Sequence, residues 1–233
     1  AKPFDMALPS LMKHLHVLVE PMSCAVKAVQ QAFEVQRRLS VWRPRLAFVM
    51  GAGQIGLLTT LILRLRGLQV FTVARAEPPS LKSEVVQGFG ATYISTKQTA
   101  LSELAAKVGQ PDLIVEATGD SESAFRAMEV LGRNGVLVWT SVTGGSKQTS
   151  VSSDKVNLEW VLGNKLLVGS VNGNRWHFEN GIRDLALAEA MYPHVVERIL
   201  TTPVPGLENY RQMMDLLAGR TPPLKVYVNV GAE

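Results

Sequence analysis

Only one cysteine, Cys24, stands among 233 residues. No intrachain disulfide can form, and a cysteine-rich metal site is excluded. Such scarcity suits a reducing compartment, so a cytoplasmic location is expected. No apolar run reaches the roughly 18 residues of a membrane span, and the first residues carry no signal-peptide pattern. Basic residues outnumber acidic ones only 24 to 20 and are scattered along the chain. Without a basic block or stripe, a nucleic-acid partner is not expected. His14, His16, His177 and His194 include no His-x-x-x-His or Cys–His pair, so no complete metal site is legible. Solenoid repeats and low-complexity segments are also absent.

What is present is a rhythm. Short apolar runs at 46–50, 69–74, 91–95, 112–118, 135–142 and 165–172 alternate with helical stretches at 54–66, 80–88, 99–109, 121–132 and 153–164. Runs that are apolar on both faces, separated by helices, imply a parallel sheet covered on both sides. The expected fold is α/β, a doubly wound six-stranded parallel sheet of the Rossmann type. A lead-in helix is expected at 24–42, after an irregular start with prolines at 3, 9 and 21. Ser121 is the expected cap of the 121–132 helix. Beyond residue 173 the rhythm changes, with helices near 175–191 and 208–218 and a strand-like 224–230. This α+β tail reads as an appendage. The division expected is 1–45 lead-in, 46–173 dinucleotide-binding domain and 174–233 returning tail.

The first strand runs into Gly51-Ala-Gly-Gln-Ile-Gly56, between a strand and a helix. Gly51 permits the tight turn, Gly53 lets backbone approach a pyrophosphate, and Gly56 lets helix and strand pack closely. The helix start then offers free N–H groups and positive dipole to phosphates. Arg75 follows Gly56 by nineteen residues, at the end of the second strand. An acid there would bind ribose hydroxyls; a guanidinium suits a 2′-phosphate, which favours NADP with NAD as the alternative. Glu77 stands close enough to blunt that preference.

Ligands in this fold lie outside the carboxyl ends of the strands. Thr118 and Gly119, then Thr140, Ser141 and Val142, then Val171 and Asn172 fall at those ends and suit a nicotinamide ribose and carboxamide. Tyr93 and Lys97 have the four-residue spacing of short-chain dehydrogenases, but they fall on a strand and read as coincidence. Cys24 at a helix start could have a lowered pKa; a small buried residue is the plainer expectation.

Five segments carry a resemblance: "VLVEPMSCAVKAV" (17–29), the glycine turn through Arg75, "DLIVEATG" (112–119), "LGRNGVLVWTSVTGGS" (131–146) and "LLVGSVNGNRWHF" (166–178). Together the chain resembles the zinc-type medium-chain dehydrogenases, most closely their glucose (aldose) 1-dehydrogenase branch. That resemblance implies hydride transfer from C1 of an aldose to NADP or NAD, giving a lactone. It makes Glu20 a zinc or sugar ligand and places Asn172 near nicotinamide and substrate. Ala52, Gln54 and Ile55 match the pyrophosphate loop with the glycines, Thr140 to Val142 the nicotinamide wall, and Arg75 an adenosine-phosphate position. The family often has a second arginine next to Arg75; here Ala76 stands there. Relatives carry an N-terminal catalytic domain with the zinc-binding Cys and His. The chain therefore looks like the C-terminal, cofactor-binding portion of a longer enzyme, inactive alone, with zinc expected only with that domain and a sugar as its substrate. Homo-oligomer formation stays open. The alternatives are a stand-alone dinucleotide-binding or sensory module without chemistry, and a dehydrogenase of another polyol or alcohol.

Overall fold

The computed structural model describes residues 15–219 and 223–230. Six strands, β1 (Leu46–Met50), β2 (Gln69–Ala74), β3 (Thr92–Ser95), β4 (Leu113–Glu116), β5 (Val136–Trp139) and β6 (Leu166–Gly169), form one sheet. Their order is β3-β2-β1-β4-β5-β6, and every pair is parallel. The helices between them are α2 (Gln54–Leu65), α3 (Leu81–Gly88), α4 (Leu101–Val108), α5 (Ser121–Val130) and α6 (Ser153–Gly163). This is the doubly wound sheet expected from the alternating rhythm.

Period-two geometry explains why the runs had to be apolar throughout. Along β1, Ala47 and Val49 join one core while Leu46, Phe48 and Met50 join the other. The first core includes Leu57, Leu61 and Ile62 of α2 and Val85 and Val86 of α3; the second takes Leu104 of α4 and Ala127 and Val130 of α5. Phe48 and Phe71 meet edge to face across β1 and β2, with ring centroids 5.8 Å apart.

The lead-in helix α1 spans Val19–Val35, not 24–42, and a 3-10 turn at Gln36–Leu39 ends it. Pro21 misleads the sequence reading, because a proline in the first turn gives up only an N–H that has no intrahelical partner. Residues 1–14 of the expected irregular start lie outside the described residues. Cys24 consequently sits inside α1 rather than at its start, and burial pushes its thiol above the ordinary value, with Glu20 adding to the rise. The α5 cap is Asp120 rather than Ser121; its carboxylate accepts the Ser123 N–H at 2.9 Å.

Beyond the sheet, α7 (Arg175–Met191) lies along α1 and adds Ile182, Leu185 and Ala188 to the first core. Thus α1 and α7, on either side of 46–173 in sequence, complete the core of that unit. Farther on, β7 (Thr202–Pro205) and β8 (Val226–Asn229) pair in parallel, joined through α8 (Tyr210–Ala218). The β7 strand escapes the sequence reading because Pro203 and Pro205 disguise it. Tyr210, Met214 and Leu217 of α8 remain exposed. No described helix is long and apolar enough to cross a membrane.

Candidate functional site: a cleft at the strand reversal

Between β1 and β4 the crossovers turn to opposite sides, which opens a crevice at the carboxyl ends of the strands. A cleft of about 670 Å³ lies there. Gly51 to Gly53 form its floor, Thr118 its β4 wall, and Arg75, Lys82 and Arg126 its cationic rim.

The glycine turn fits a bound phosphate on its own geometry. Gly51 holds φ +101°, a region closed to most side chains. A Cβ on Gly56 would lie 2.0 Å from the Gly51 carbonyl oxygen, so only glycine lets α2 pass that close. At Gly53 the opposite holds: a Cβ would meet nothing within 4 Å, so the backbone is open to a ligand. Gly53 is also the N-cap of α2, and no side chain caps that start. The Gln54 side-chain amide adds a buried nitrogen with no hydrogen-bond partner. An uncapped helix start with spare donors is an anion seat.

At one end of the cleft, Arg75 is exposed and follows β2 directly. Glu77 does not compete for it, because Glu77 pairs with Lys97 at 2.9 Å. Lys82, in the first turn of α3, lines the same cleft, and Ser80 and Ser83 fix that turn by capping each other. The sequence reading misses Lys82; the signal was the Ser80-x-x-Ser83 cap, which starts a helix just beyond β2. It also misses Arg126, which reaches the rim from α5 and pairs with Glu122 at 2.5 Å. Tyr93 is no catalytic tyrosine: its hydroxyl donates to the Ala76 carbonyl at 2.8 Å.

Toward the other end, Glu116 organises the strand termini. Its carboxylate accepts from the Thr118 N–H at 2.6 Å, the Thr118 hydroxyl at 2.5 Å and the Ser141 hydroxyl. Its backbone carbonyl accepts the Thr140 N–H at 3.0 Å and the Thr140 hydroxyl at 2.7 Å. Val142 and Val171 are exposed along the same edge. Lys27 of α1 donates to the Val171 carbonyl at 2.8 Å and anchors the loop after β6. Asn172 then takes φ +57°. Next to it, Gly173 lies so near Ser23 that a Cβ would be 2.6 Å from its Oγ. Glu20 is on the same face of α1 as Ser23 and Lys27, exposed, with its Oε1 3.7 Å from the Cys24 Sγ.

The structure therefore gathers Gly51, Ala52, Gly53, Arg75 and Thr118 in one cleft. Gln54, Ile55 and Gly56 form the first turn of α2 behind it. Thr140, Ser141, Val142, Val171 and Asn172 stand farther along the open strand edge, outside the enclosed volume. Among the described residues Glu20 has no set of metal-binding partners. Among the described residues the one cluster of three such groups is Glu189, His194 and Glu197, at the far end of α7.

Residues 13–219 match a family profile described as the glucose dehydrogenase C-terminus. The chain belongs to that family. A glucose 1-dehydrogenase of Methanocella arvoryzae is 40% identical over 97% of this chain. Another, glucose 1-dehydrogenase 1 of Caldivirga maquilingensis, is 38% identical over 88% of it. The chain spans 61% and 56% of the lengths of these two relatives. Among solved structures, glucose dehydrogenase of Haloferax mediterranei in complex with NADP, Zn and gluconolactone superposes with a TM-score of 0.84. That protein is 27% identical; the alignment covers 98% of this chain and 62% of the other.

Proposed function

We propose that this chain is the NADP(H)-binding portion of an oxidoreductase that moves hydride between C1 of an aldose and the nicotinamide. One observation carries the cofactor choice: Arg75 and Lys82 share the cleft that begins at the open Gly53 backbone. Two cations beside the second strand suit a phosphate on the adenosine ribose. Lys82 takes the place of the neighbouring arginine that Ala76 does not provide.

In this reading Gly51, Ala52, Gly53, Gln54, Ile55 and Gly56 seat the pyrophosphate by backbone N–H groups and the α2 dipole. Thr118, Thr140, Ser141, Val142, Val171 and Asn172 form the ledge for the nicotinamide half. When bound, the nicotinamide supplies the hydride acceptor. The residues of this chain position that ring; they do not themselves exchange the hydride. Lys27 holds the Val171 carbonyl and so anchors the loop that carries Asn172 to the end of the ledge. Glu20 lies on the α1 face that supports this loop and is the residue assigned to meet substrate or zinc. The described residues offer Glu20 no partner ligands for a zinc ion.

We place zinc, the sugar pocket and catalysis in the longer enzyme, working in the cytoplasm, with the exposed α8 face available to a further domain or a second copy. The 233-residue chain alone should bind NADP+ and leave glucose unoxidised. Calorimetric titration with NADP+ and NAD+, beside a glucose assay, tests this. No heat with either nucleotide sinks the cofactor reading; sustained glucose oxidation sinks the claim of inactivity.

A further inference from the structure

Glu116 is 1% exposed, yet it forms no ion pair among the described residues. Three donors fill its two oxygens: the Thr118 N–H, the Thr118 hydroxyl and the Ser141 hydroxyl. The Thr118 hydroxyl in turn accepts the Asp120 N–H at 3.0 Å. In each of these contacts the Glu116 side chain is the acceptor, as suits a carboxylate. A neutral glutamine could bridge β4 and β5 with one fewer acceptor. Keeping a charge out of water without a cation is costly. These hydrogen bonds join the ends of β4 and β5, but none of the donors carries a charge to balance the carboxylate.

A need appears once a ligand occupies the ledge. A group resting on the Thr118 or Ser141 hydroxyl is separated from the carboxylate by two hydrogen bonds in series, about 5.5 Å. Resting on the cofactor assignment made above, we propose that Glu116 sets the redox preference of the site: its charge favours the cationic, oxidised nicotinamide over the neutral, reduced one. It touches neither substrate nor cofactor. It acts through Thr118 and Ser141, as a positioning residue with a field. At that separation and an intermediate effective dielectric, one charge changes relative affinity on the order of tenfold.

The test uses the 233-residue chain with NADP+, NADPH and 2′,5′-ADP, which carries no nicotinamide. Dissociation constants are measured for wild type, E116Q and E116D. Wild type should bind NADP+ more tightly than NADPH. E116Q should lower the ratio of the NADPH constant to the NADP+ constant about tenfold. E116D, which keeps the charge, should hold that ratio near wild type even where both affinities drop. Binding of 2′,5′-ADP should be equal in all three and reports an intact fold. An E116Q ratio equal to wild type, or equal losses for the two redox forms, overturns the proposal. Should E116Q fail to fold, wild type decides: tighter NADPH binding overturns the proposal and tighter NADP+ binding supports it. If wild type binds 2′,5′-ADP and both redox forms, a failed ratio removes only this inference. If it binds none of them, the cofactor assignment falls and takes the inference with it.

Discussion

Arg66, which closes α2, grips Asp184 of α7 through two parallel hydrogen bonds, 3.0 and 2.7 Å long. The aspartate is nearly buried while the arginine is partly open to solvent. This clamp fastens α7 to the end of α2, 118 residues away in sequence.

Removing only the arginine should strand a buried carboxylate. R66A is expected to lose about 2 kcal/mol of stability, below the full cost of breaking a wholly buried pair because Arg66 is partly hydrated. The double variant R66A/D184N should recover part of that loss, since the orphaned charge is gone. Urea unfolding of wild type, R66A, D184N and the double variant checks it; a double variant less stable than R66A would contradict the account.

Two glycines of one turn should fail differently. G56A drives a methyl into the Gly51 carbonyl and should cost about 3 kcal/mol or prevent folding. G53A meets no protein atom within 4 Å, so its melting temperature should stay within a few degrees while NADP+ affinity falls at least tenfold. Thermal melts paired with cofactor titration separate the two. Unchanged binding by G53A would mean that the open backbone there is not the phosphate seat.

Much of this was readable from residue types alone. Apolar runs such as Leu46–Met50 must be strands buried on both faces, and the structure sends alternate residues of that run into separate cores. Gly51, Gly53 and Gly56 announced the turn because each meets a different steric demand. Local sequence fails where a residue has two permitted uses. Pro21 reads as a break but sits comfortably in the first turn of α1, and Pro203 and Pro205 hid β7. Glu116 was visible only as part of a strand; its role comes from Ser141, 25 residues later, reaching its carboxylate. Lys82 joined Arg75 only after α3 folded back to the cleft.

The start of α7 should weaken in mild acid. The Asn174 side chain caps the His177 N–H, and the His177 Nδ1 accepts the Asn174 N–H at 2.9 Å. A protonated imidazole cannot accept that bond. Burial lowers the His177 pKa below the ordinary 6.5, with Lys27 adding to the effect and Glu34 opposing it. As pH drops below 6.5, the unfolded chain takes up a proton that the folded chain refuses. Stability from this group is therefore complete above that value and declines as pH falls toward the lower folded pKa. Urea midpoints at pH 7.5 and 5.5 should differ more for wild type than for H177Q. Equal differences would remove His177 as the source.

The adenosine end makes the sharpest demand on the cofactor assignment. Arg75 offers an unpaired guanidinium among the described residues, and Lys82 a second cation on the same cleft. If both face a 2′-phosphate, their loss should matter for NADP+ and hardly at all for NAD+. A charge-assisted hydrogen bond contributes about 1.5–3 kcal/mol, so R75A should weaken NADP+ by roughly ten- to a hundredfold. Lys82 is a point charge without the bidentate fork, and K82A should cost less, about three- to tenfold. E77Q should leave both affinities unchanged, because Glu77 is already engaged by Lys97. Raising salt should erode the NADP+ advantage over NAD+ in wild type and do little to it in R75A/K82A. Titrations of both nucleotides across these variants decide the matter. Parallel losses of NADP+ and NAD+ in R75A would show that the guanidinium supports the whole adenosine rather than reading the phosphate.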